Sequence, residues 1–140
     1  MANKVKWAAE SATLLMSGTQ MNGLAATTGK AIGTVVYDNS VQKNRFADFE
    51  LDVAGFSAAP TAGGYVELHM MYAYDGTYYA DGASGIANTS SILGGATLQG
   101  VFPVNALATT QFIQCPGIQL SPYKFKAAVV NATDKLIALI

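Results

Sequence analysis

The sequence predicts an all-β protein, and two observations support that prediction. The first is the stretch Tyr65–Tyr74, in which side-chain character alternates with a period of two. Such alternation over ten residues is typical of a long strand with one face in a core. We expect its even-numbered side chains, from Val66 to Tyr74, to face inward and its odd-numbered ones, from Tyr65 to Ala73, to face outward. The second observation is that shorter β-rich segments lie on both sides of this stretch, separated by Gly, Pro, Asn and Asp turns.

Two strands are predicted before the long one. Ala31–Tyr37 is rich in Ile, Thr and Val. Phe46–Val53 alternates, and we expect its odd-numbered side chains from Phe49 onward to face inward. Its outward side chains are three carboxylates: Asp48, Glu50 and Asp52. Same-side residues of a strand stand about 6.5–7 Å apart, so we interpret this row as the wet face of a sheet rather than as a metal or acid–base site.

Two further strands are predicted after the long one. Thr97–Val104 contains Pro103, which cannot donate to a central ladder and so indicates an edge, a bulge or a strand end. Thr109–Cys115 follows, and the Pro116-Gly117 pair predicts a turn after it.

The last part of the chain predicts two more strands. Tyr123–Val130 alternates, with Lys124 and Lys126 expected to point outward. Leu136–Ile140 is apolar and is either the last strand of the core or a strand lent to a partner's sheet edge.

Three segments remain outside this series. Val5–Met16 is compatible with a strand or an arm, and Gln20–Leu24 with one or two helical turns. A segment of about twenty residues after Asp75 is irregular, which is typical of functional or disordered loops. The whole pattern predicts a jelly-roll β-sandwich of about eight antiparallel strands with at most one short helix. We expect one domain, residues 1–140, with an N-terminal arm at about 1–16.

The composition favours assembly with other proteins. Charged residues make up 12% of the chain, against about 25% in typical soluble domains, and the mean hydropathy is +0.26. No apolar run reaches the roughly 18 residues of a membrane span, and a net charge of −1 gives no footprint for nucleic acid or an anionic membrane. Glu10 and Ser11 interrupt what would be a signal-peptide core, so no secretion signal is predicted. The alternative is a quiet β surface rich in Ser, Thr and Gly.

The sequence offers little for catalysis, and we expect neither an enzyme nor a cofactor. One histidine, His69, and one cysteine, Cys115, lack a recognisable third group, and zinc needs three or four such ligands. Asp75 and Asp81 with loop carbonyls would suit calcium, but both belong to Asp-Gly pairs, which more often form turns.

Two long runs resemble a family of small tailed-phage virion proteins. The runs are FELDVAGFSAAPTAGGYVELHMMYAYDGTYYADG and FPVNALATTQFIQCPGIQLSPYKFKAAVVNAT, and a K-W segment near the start is also similar. The resemblance implies a jelly-roll capsid cement or decoration protein that binds the outside of the head shell and ties neighbouring major capsid proteins together. It further implies a homodimer, with a trimer possible, made in the host bacterial cytoplasm and incorporated into the virion.

The candidate contact surfaces are the arm around Trp7, the tyrosine-rich loop and the C-terminal strand, each of which is otherwise ordinary core or loop. Their candidate partner-binding residues are Trp7, Tyr78, Tyr79, Leu136, Ile137, Leu139 and Ile140. An alternative function is a carbohydrate- or receptor-binding module of the virion head or tail, with Tyr78 and Tyr79 as a stacking platform. A tail or baseplate component also remains open.

Overall fold

The structure is a computed structural model, and it describes residues 15–16, 21–27, 29–33, 35–79 and 97–137. Within these residues, seven antiparallel strands form two sheets, which confirms the predicted all-β sandwich. The elements are β1 (Lys30–Ile32), β2 (Tyr37–Asp38), α1 (Asn39–Gln42), β3 (Phe46–Val53), β4 (Tyr65–Ala73), β5 (Thr97–Pro103), β6 (Gln111–Gln119) and β7 (Lys124–Asn131).

The larger sheet has the strand order β1-β7-β4-β5, and β2 pairs with β7 beyond the end of β1. The smaller sheet is the pair β3-β6. The last strand lies between the first and the fourth, as in the Greek-key connections of which jelly rolls are built. The long strand β4 lies inside the larger sheet, between β7 and β5, as its alternation predicts.

The main core lies between the two sheets. Four of the predicted inward side chains of β4 are buried there: Val66, Leu68, Met70 and Tyr72. The smaller sheet faces them with a matching set from β3 and β6: Leu51, Val53, Ile113, Cys115 and Ile118. Tyr74 was also predicted to face inward, and that prediction is wrong because Tyr74 lies beyond the end of β4 and is exposed.

A second apolar cluster covers part of the opposite face of the larger sheet. It contains Ile32, Met71, Ala73, Tyr79 and Ala128. Met71, Ala73 and Lys126 were predicted to face water, but all three are buried. The period of two correctly assigns side chains to the two faces of the sheet. It does not reveal that, at this end of the sheet, both faces are buried.

The predicted turn at Pro116-Gly117 is a bulge within β6 instead. The register between β3 and β6 shifts after Ala47, and Gly117 adopts a positive φ of 70°. The Asp48 carboxylate accepts a hydrogen bond from the Gly117 N–H at 2.8 Å. Because a side chain satisfies the N–H that leaves the ladder, the strand bends here and continues to Gln119.

The predicted strand Ala31–Tyr37 is divided into β1 and β2, which both pair with β7. The helix α1 follows directly, and Asp38 caps it by accepting a hydrogen bond from the Ser40 N–H at 2.9 Å. At the predicted helical site Gln20–Leu24, Met21 is helical and leads into a turn. Residue 20 itself lies outside the described residues.

The C-terminal segment contributes to the core rather than forming a free strand, as far as residue 137. Ile137 is buried and forms an isolated antiparallel bridge with Phe56. Its N–H donates to the Leu24 carbonyl, and its own carbonyl accepts from the Gly23 N–H, both at 3.1 Å. The described part of this segment therefore joins the loop after β3 to the turn before β1.

The two sheets meet at a tight seam between β5 and β6. A Cβ at Gly100 would lie 2.6 Å from the Cys115 sulfur and 2.9 Å from the Ile118 Cδ1. The Cys115 sulfur accepts a hydrogen bond from the Val101 backbone, but burial dominates and raises the pKa of the thiol. Only a glycine lets the strands approach this closely.

Replacement of Gly100 by alanine is expected to destabilise the fold by about 1–3 kcal/mol, because the new methyl group overpacks the seam. Urea unfolding of Gly100→Ala, Cys115→Ala and the double variant measures this. The double variant should cost less than the sum of the two single ones, since Cys115→Ala removes the nearest atom. If the losses in the free energy of unfolding of the two single variants simply add up in the double variant, the close contact between Gly100 and Cys115 would be contradicted.

One exposed carboxylate fastens the turn after β7 to the loop before β4. Asp134 accepts hydrogen bonds from the Lys135 ammonium at 2.6 Å and from the Thr61 N–H and hydroxyl, each at 2.8 Å. These bonds hold the pKa of Asp134 well below its usual value of 3.8, and the bond from Lys135 has the largest effect. The folded state therefore favours the ionised carboxylate.

Because the folded pKa of Asp134 is depressed, its contribution to stability is present above the unfolded pKa and is lost as the pH falls. We expect Asp134→Asn to destabilise the protein more at about pH 7 than at about pH 2.5, measured by urea unfolding at both values. Asp52→Asn is the matched control of opposite sign, because burial and the neighbouring Glu50 raise the pKa of Asp52. Equal pH dependence in the two variants would refute this assignment.

Candidate interaction surface

Five aromatic rings form a continuous ladder at one end of the larger sheet. Tyr37 on β2 and Tyr72 on β4 are the register partners of Phe125 on β7, so three rings lie side by side across three strands. Their centroids are 5.4 Å (Tyr37–Phe125) and 5.7 Å (Tyr72–Phe125) apart. Tyr74 stacks on Tyr72 at 5.9 Å and meets Tyr123 edge-on at 5.0 Å. We call these five residues the aromatic ladder.

The aromatic ladder runs from the core to the surface. Phe125 is 2% exposed and Tyr72 6%, whereas Tyr123 is 37% and Tyr74 68% exposed. Its position follows from the strand period, since Tyr74 is two residues after Tyr72, and Tyr123 is two residues before Phe125. The outer rings therefore continue the inward-facing rows of β4 and β7 past the ends of both strands.

Hydrogen bonds fix the inner rings of the aromatic ladder. The Tyr72 hydroxyl accepts from the Ser121 N–H, and the Tyr37 hydroxyl accepts from the Asn44 side-chain amide, both at 3.1 Å. Asn44 is itself held by Asn39, which is fully buried and bonds to the Asn44 N–H and carbonyl at 2.9 Å each. The exposed rings thus rest on a rigid base and lose little entropy when a partner covers them.

The predicted platform of Tyr78 and Tyr79 does not form. Tyr78 is 60% exposed at the turn after β4, where Asp75 accepts hydrogen bonds from the Thr77 and Tyr78 N–H groups, both at 2.8 Å. These two bonds lower the pKa of Asp75 and account for its role as a turn former. Tyr79 faces the other way and is buried in the second apolar cluster. Two rings on opposite sides of the chain cannot stack on one ligand.

Tyr79 closes the second apolar cluster over a buried cation. The Lys126 ammonium lies 4.9 Å from the centre of the Tyr79 ring, and Lys126 is 0% exposed. Such cation–π contacts are worth about 0.5–2 kcal/mol, the larger values applying to desolvated pairs. Burial, with a smaller effect of the Asp38 charge, raises the pKa of the Tyr79 hydroxyl. Tyr79 therefore stabilises the fold and is not a surface contact.

The other predicted contact residues are divided between core, surface and undescribed segments. Leu136 is 37% exposed, whereas Ile137 is 2% exposed and packs in the main core, so Ile137 is corrected from surface to core. Trp7, Leu139 and Ile140 lie outside the described residues. Sequence reasoning missed Tyr74 and Tyr123 as contact residues because it placed both inside predicted strands, whereas β4 ends at Ala73 and β7 begins at Lys124.

The candidate catalytic pair is separated by the larger sheet. His69 lies on the outer face of β4, whereas Cys115 points into the main core beneath the opposite face. His69 Nε2 lies 2.8 Å from the Glu67 carboxylate, and its buried Nδ1 has no hydrogen-bond partner among the described residues. Over the residues that the structure describes, no three His, Cys, Asp or Glu side chains are grouped to hold a metal ion. Asp81 lies outside them.

No family model, curated protein or solved structure matches this chain. In the described ranges, no helix has the length and hydropathy needed to cross a membrane.

The opposite environments of Tyr78 and Tyr79 give a direct test. Tyr79→Leu keeps apolar volume but loses the cation–π contact, so we expect it to lower the free energy of unfolding by about 1 kcal/mol or more. Tyr79→Phe keeps the ring and should cost less. Tyr78→Leu, at an exposed position, should stay within about 0.5 kcal/mol of the parent. Equal costs for the two leucine variants in urea unfolding would contradict the burial of Tyr79.

Proposed function

We propose that the protein is a structural virion protein, a capsid cement or decoration protein that binds the outside of a phage head shell. It ties neighbouring major capsid proteins together, and its partners are the major capsid protein and further copies of itself. The observation that carries the proposal is the outer part of the aromatic ladder: Tyr74 and Tyr123 present exposed rings on a base fixed by the core. Aromatic residues on a rigid base are the common anchors of protein interfaces.

Two features of the sequence support the same function. Only 12% of the residues are charged, which leaves broad areas of the surface free of strongly hydrated groups. The resemblance to small tailed-phage virion proteins extends over both long runs, which contain β4, β6 and β7 and the second half of β3. A cement protein acts through buried area, and a standard interface of about 1,600 Å², repeated in many copies, gives a strong total attachment.

The geometry favours this function over the carbohydrate-binding alternative. The rings of Tyr74 and Tyr123 meet at 80°, so a flat sugar ring stacked on one of them would stand edge-on to the other. Tyr79 is buried, so within the described part of the chain no second ring lies beside Tyr78 at that position. An irregular protein surface, in contrast, is well matched by two rings at a steep angle.

Co-sedimentation of the purified protein with expanded head shells of the phage that encodes it tests the proposal. We expect near-stoichiometric binding, and we expect Tyr74→Ala to weaken it at least about tenfold, as truncation of an interface anchor does. Tyr65→Ala is the matched control, because Tyr65 is exposed at the far end of the same strand. Thermal unfolding should be unchanged in both variants.

Two results would refute the proposed cement function. One is failure of the unmodified protein to sediment with shells while it is retained on a glycan array, which would promote the carbohydrate-binding module. The other is equal loss of shell binding in Tyr74→Ala and Tyr65→Ala, which would remove the aromatic ladder from the contact.

A further inference from the structure

The loop that leads from α1 into β3 presents two cations between two apolar side chains. Val41 is 80% exposed and Phe46 63%, and Lys43 and Arg45 between them are both exposed. Arg45 is the only arginine of the chain. Neither cationic side chain forms an ion pair or a hydrogen bond with a described residue. We call residues 41–46 the basic loop.

Hydrogen bonds to the backbone fix the shape of the basic loop. The buried Asn39 amide donates to the carbonyls of Asn44 and Ser121, and its oxygen accepts from the Asn44 N–H, each at 2.9 Å. The Arg45 carbonyl accepts from the Leu120 N–H at 2.8 Å. The loop is therefore anchored to the segment between β6 and β7, and little further ordering of its backbone is needed when a partner binds.

Lys43 stands at a position where the local fold favours glycine. It ends α1 with a φ of 52° and a ψ of 42°, and its N–H donates to the Asn39 carbonyl at 3.0 Å. This is the left-handed region, where glycine and sometimes asparagine are the usual helix ends because other side chains are strained. The turn alone gains nothing from a lysine here. A use for the charge accounts for the side chain better than the backbone does.

The basic loop and the aromatic ladder share one base. The Asn44 side-chain amide donates to the Tyr37 hydroxyl at 3.1 Å. Ser121, which anchors the loop, also donates its N–H to the Tyr72 hydroxyl at 3.1 Å. Phe46 begins β3 at the same end of the sandwich, because its register partner is the last residue of β6. The exposed rings of the ladder and the side chains of the basic loop can therefore contact one partner together.

The side chains of the basic loop fit carboxylates on a protein surface. A guanidinium group donates two parallel hydrogen bonds to one carboxylate, and a lysine adds a second, more flexible contact. Val41 and Phe46 offer apolar area on either side, and arginine beside aromatic residues is typical of protein interfaces. A nucleic acid fits less well, because two cations neutralise few phosphates and the chain as a whole has a net charge of −1.

We infer that the basic loop binds an acidic surface of a partner protein. Lys43 and Arg45 pair with carboxylates of that surface, and Val41 and Phe46 pack on the apolar side chains around them. Charge complementarity then selects the partner and orients it, while the aromatic ladder supplies buried area. The inference rests on the proposed function only for the source of this surface, which is then the outside of the head shell.

Co-sedimentation of the full chain with expanded head shells, over a range of salt concentrations, tests the inference. The variant Lys43→Gly with Arg45→Gln removes both charges and relieves the strain at position 43, so its thermal unfolding should stay close to that of the parent. We expect its dissociation constant for shells to be about tenfold higher, and most of the salt dependence of binding to be lost.

Lys43→Gln and Lys30→Gln are a matched pair, because each removes the charge of one exposed lysine, the second from β1. Only the first should weaken shell binding. Equal losses in the two, or a double variant that binds shells with the affinity and salt dependence of the parent, would overturn the inference and leave the proposed function standing.

A second measurement does not depend on shells. Fluorescence anisotropy compares a dye-labelled peptide of alternating Glu and Phe with a Gln and Phe peptide of the same length and with a single-stranded oligonucleotide of the same charge. The parent should bind the acidic peptide about tenfold more tightly than either other probe, and the double variant should lose this preference. If the parent does not sediment with shells, the proposed function fails and this measurement alone decides. Equal binding of the two peptides, or tighter binding of the oligonucleotide, would then refute the inference.

Discussion

Eight residues of β4 pair with β7, and this antiparallel ladder organises the rest of the sandwich. β7 carries β1 and β2 on its other side, and β4 carries β5, so every strand of the larger sheet is attached through this pair. The main core packs on one face of the ladder, and the second apolar cluster packs on the other. The aromatic ladder is the continuation of the same two strands into solvent. The core, the larger sheet and the candidate contact surface therefore all depend on the pairing of β4 with β7.

Buried amide side chains take the place that ion pairs have in more highly charged proteins. Asn131 is 0% exposed, and its amide donates to three carbonyls, those of Leu24, Ala25 and Lys135. Gln111 holds the loop before β6 in the same way, through Asn105 and Leu107. A neutral amide offers both donors and an acceptor and costs less to bury than a charge. These residues fix three turns, together with Asn39, without adding charge to the chain.

The sequence predicts the parts of this fold that depend on a local period. The alternation in β3 and β4 correctly assigned their inner faces, and Pro103 correctly marked the end of β5. The burial of Met71, Ala73 and Lys126 could not be read from the same pattern, because it depends on Tyr79 folding back from a later turn. Pro116-Gly117 was misread because Asp48, 69 positions away, satisfies the freed N–H. Of the contact surface, the sequence indicated its aromatic character, but the strand ends decide which tyrosines are exposed.

The seam at Gly100 gives the protein a built-in reporter of its own opening. The single cysteine of the chain, Cys115, lies where the two sheets meet. Its sulfur accepts a hydrogen bond from the β5 backbone and is buried. A thiol reagent reaches Cys115 only when β5 and β6 separate, and ionisation of the buried thiol is disfavoured until they do. The labelling rate of the native protein therefore measures the free energy of this local separation, and it distinguishes a sandwich that opens at one edge from one that unfolds as a whole.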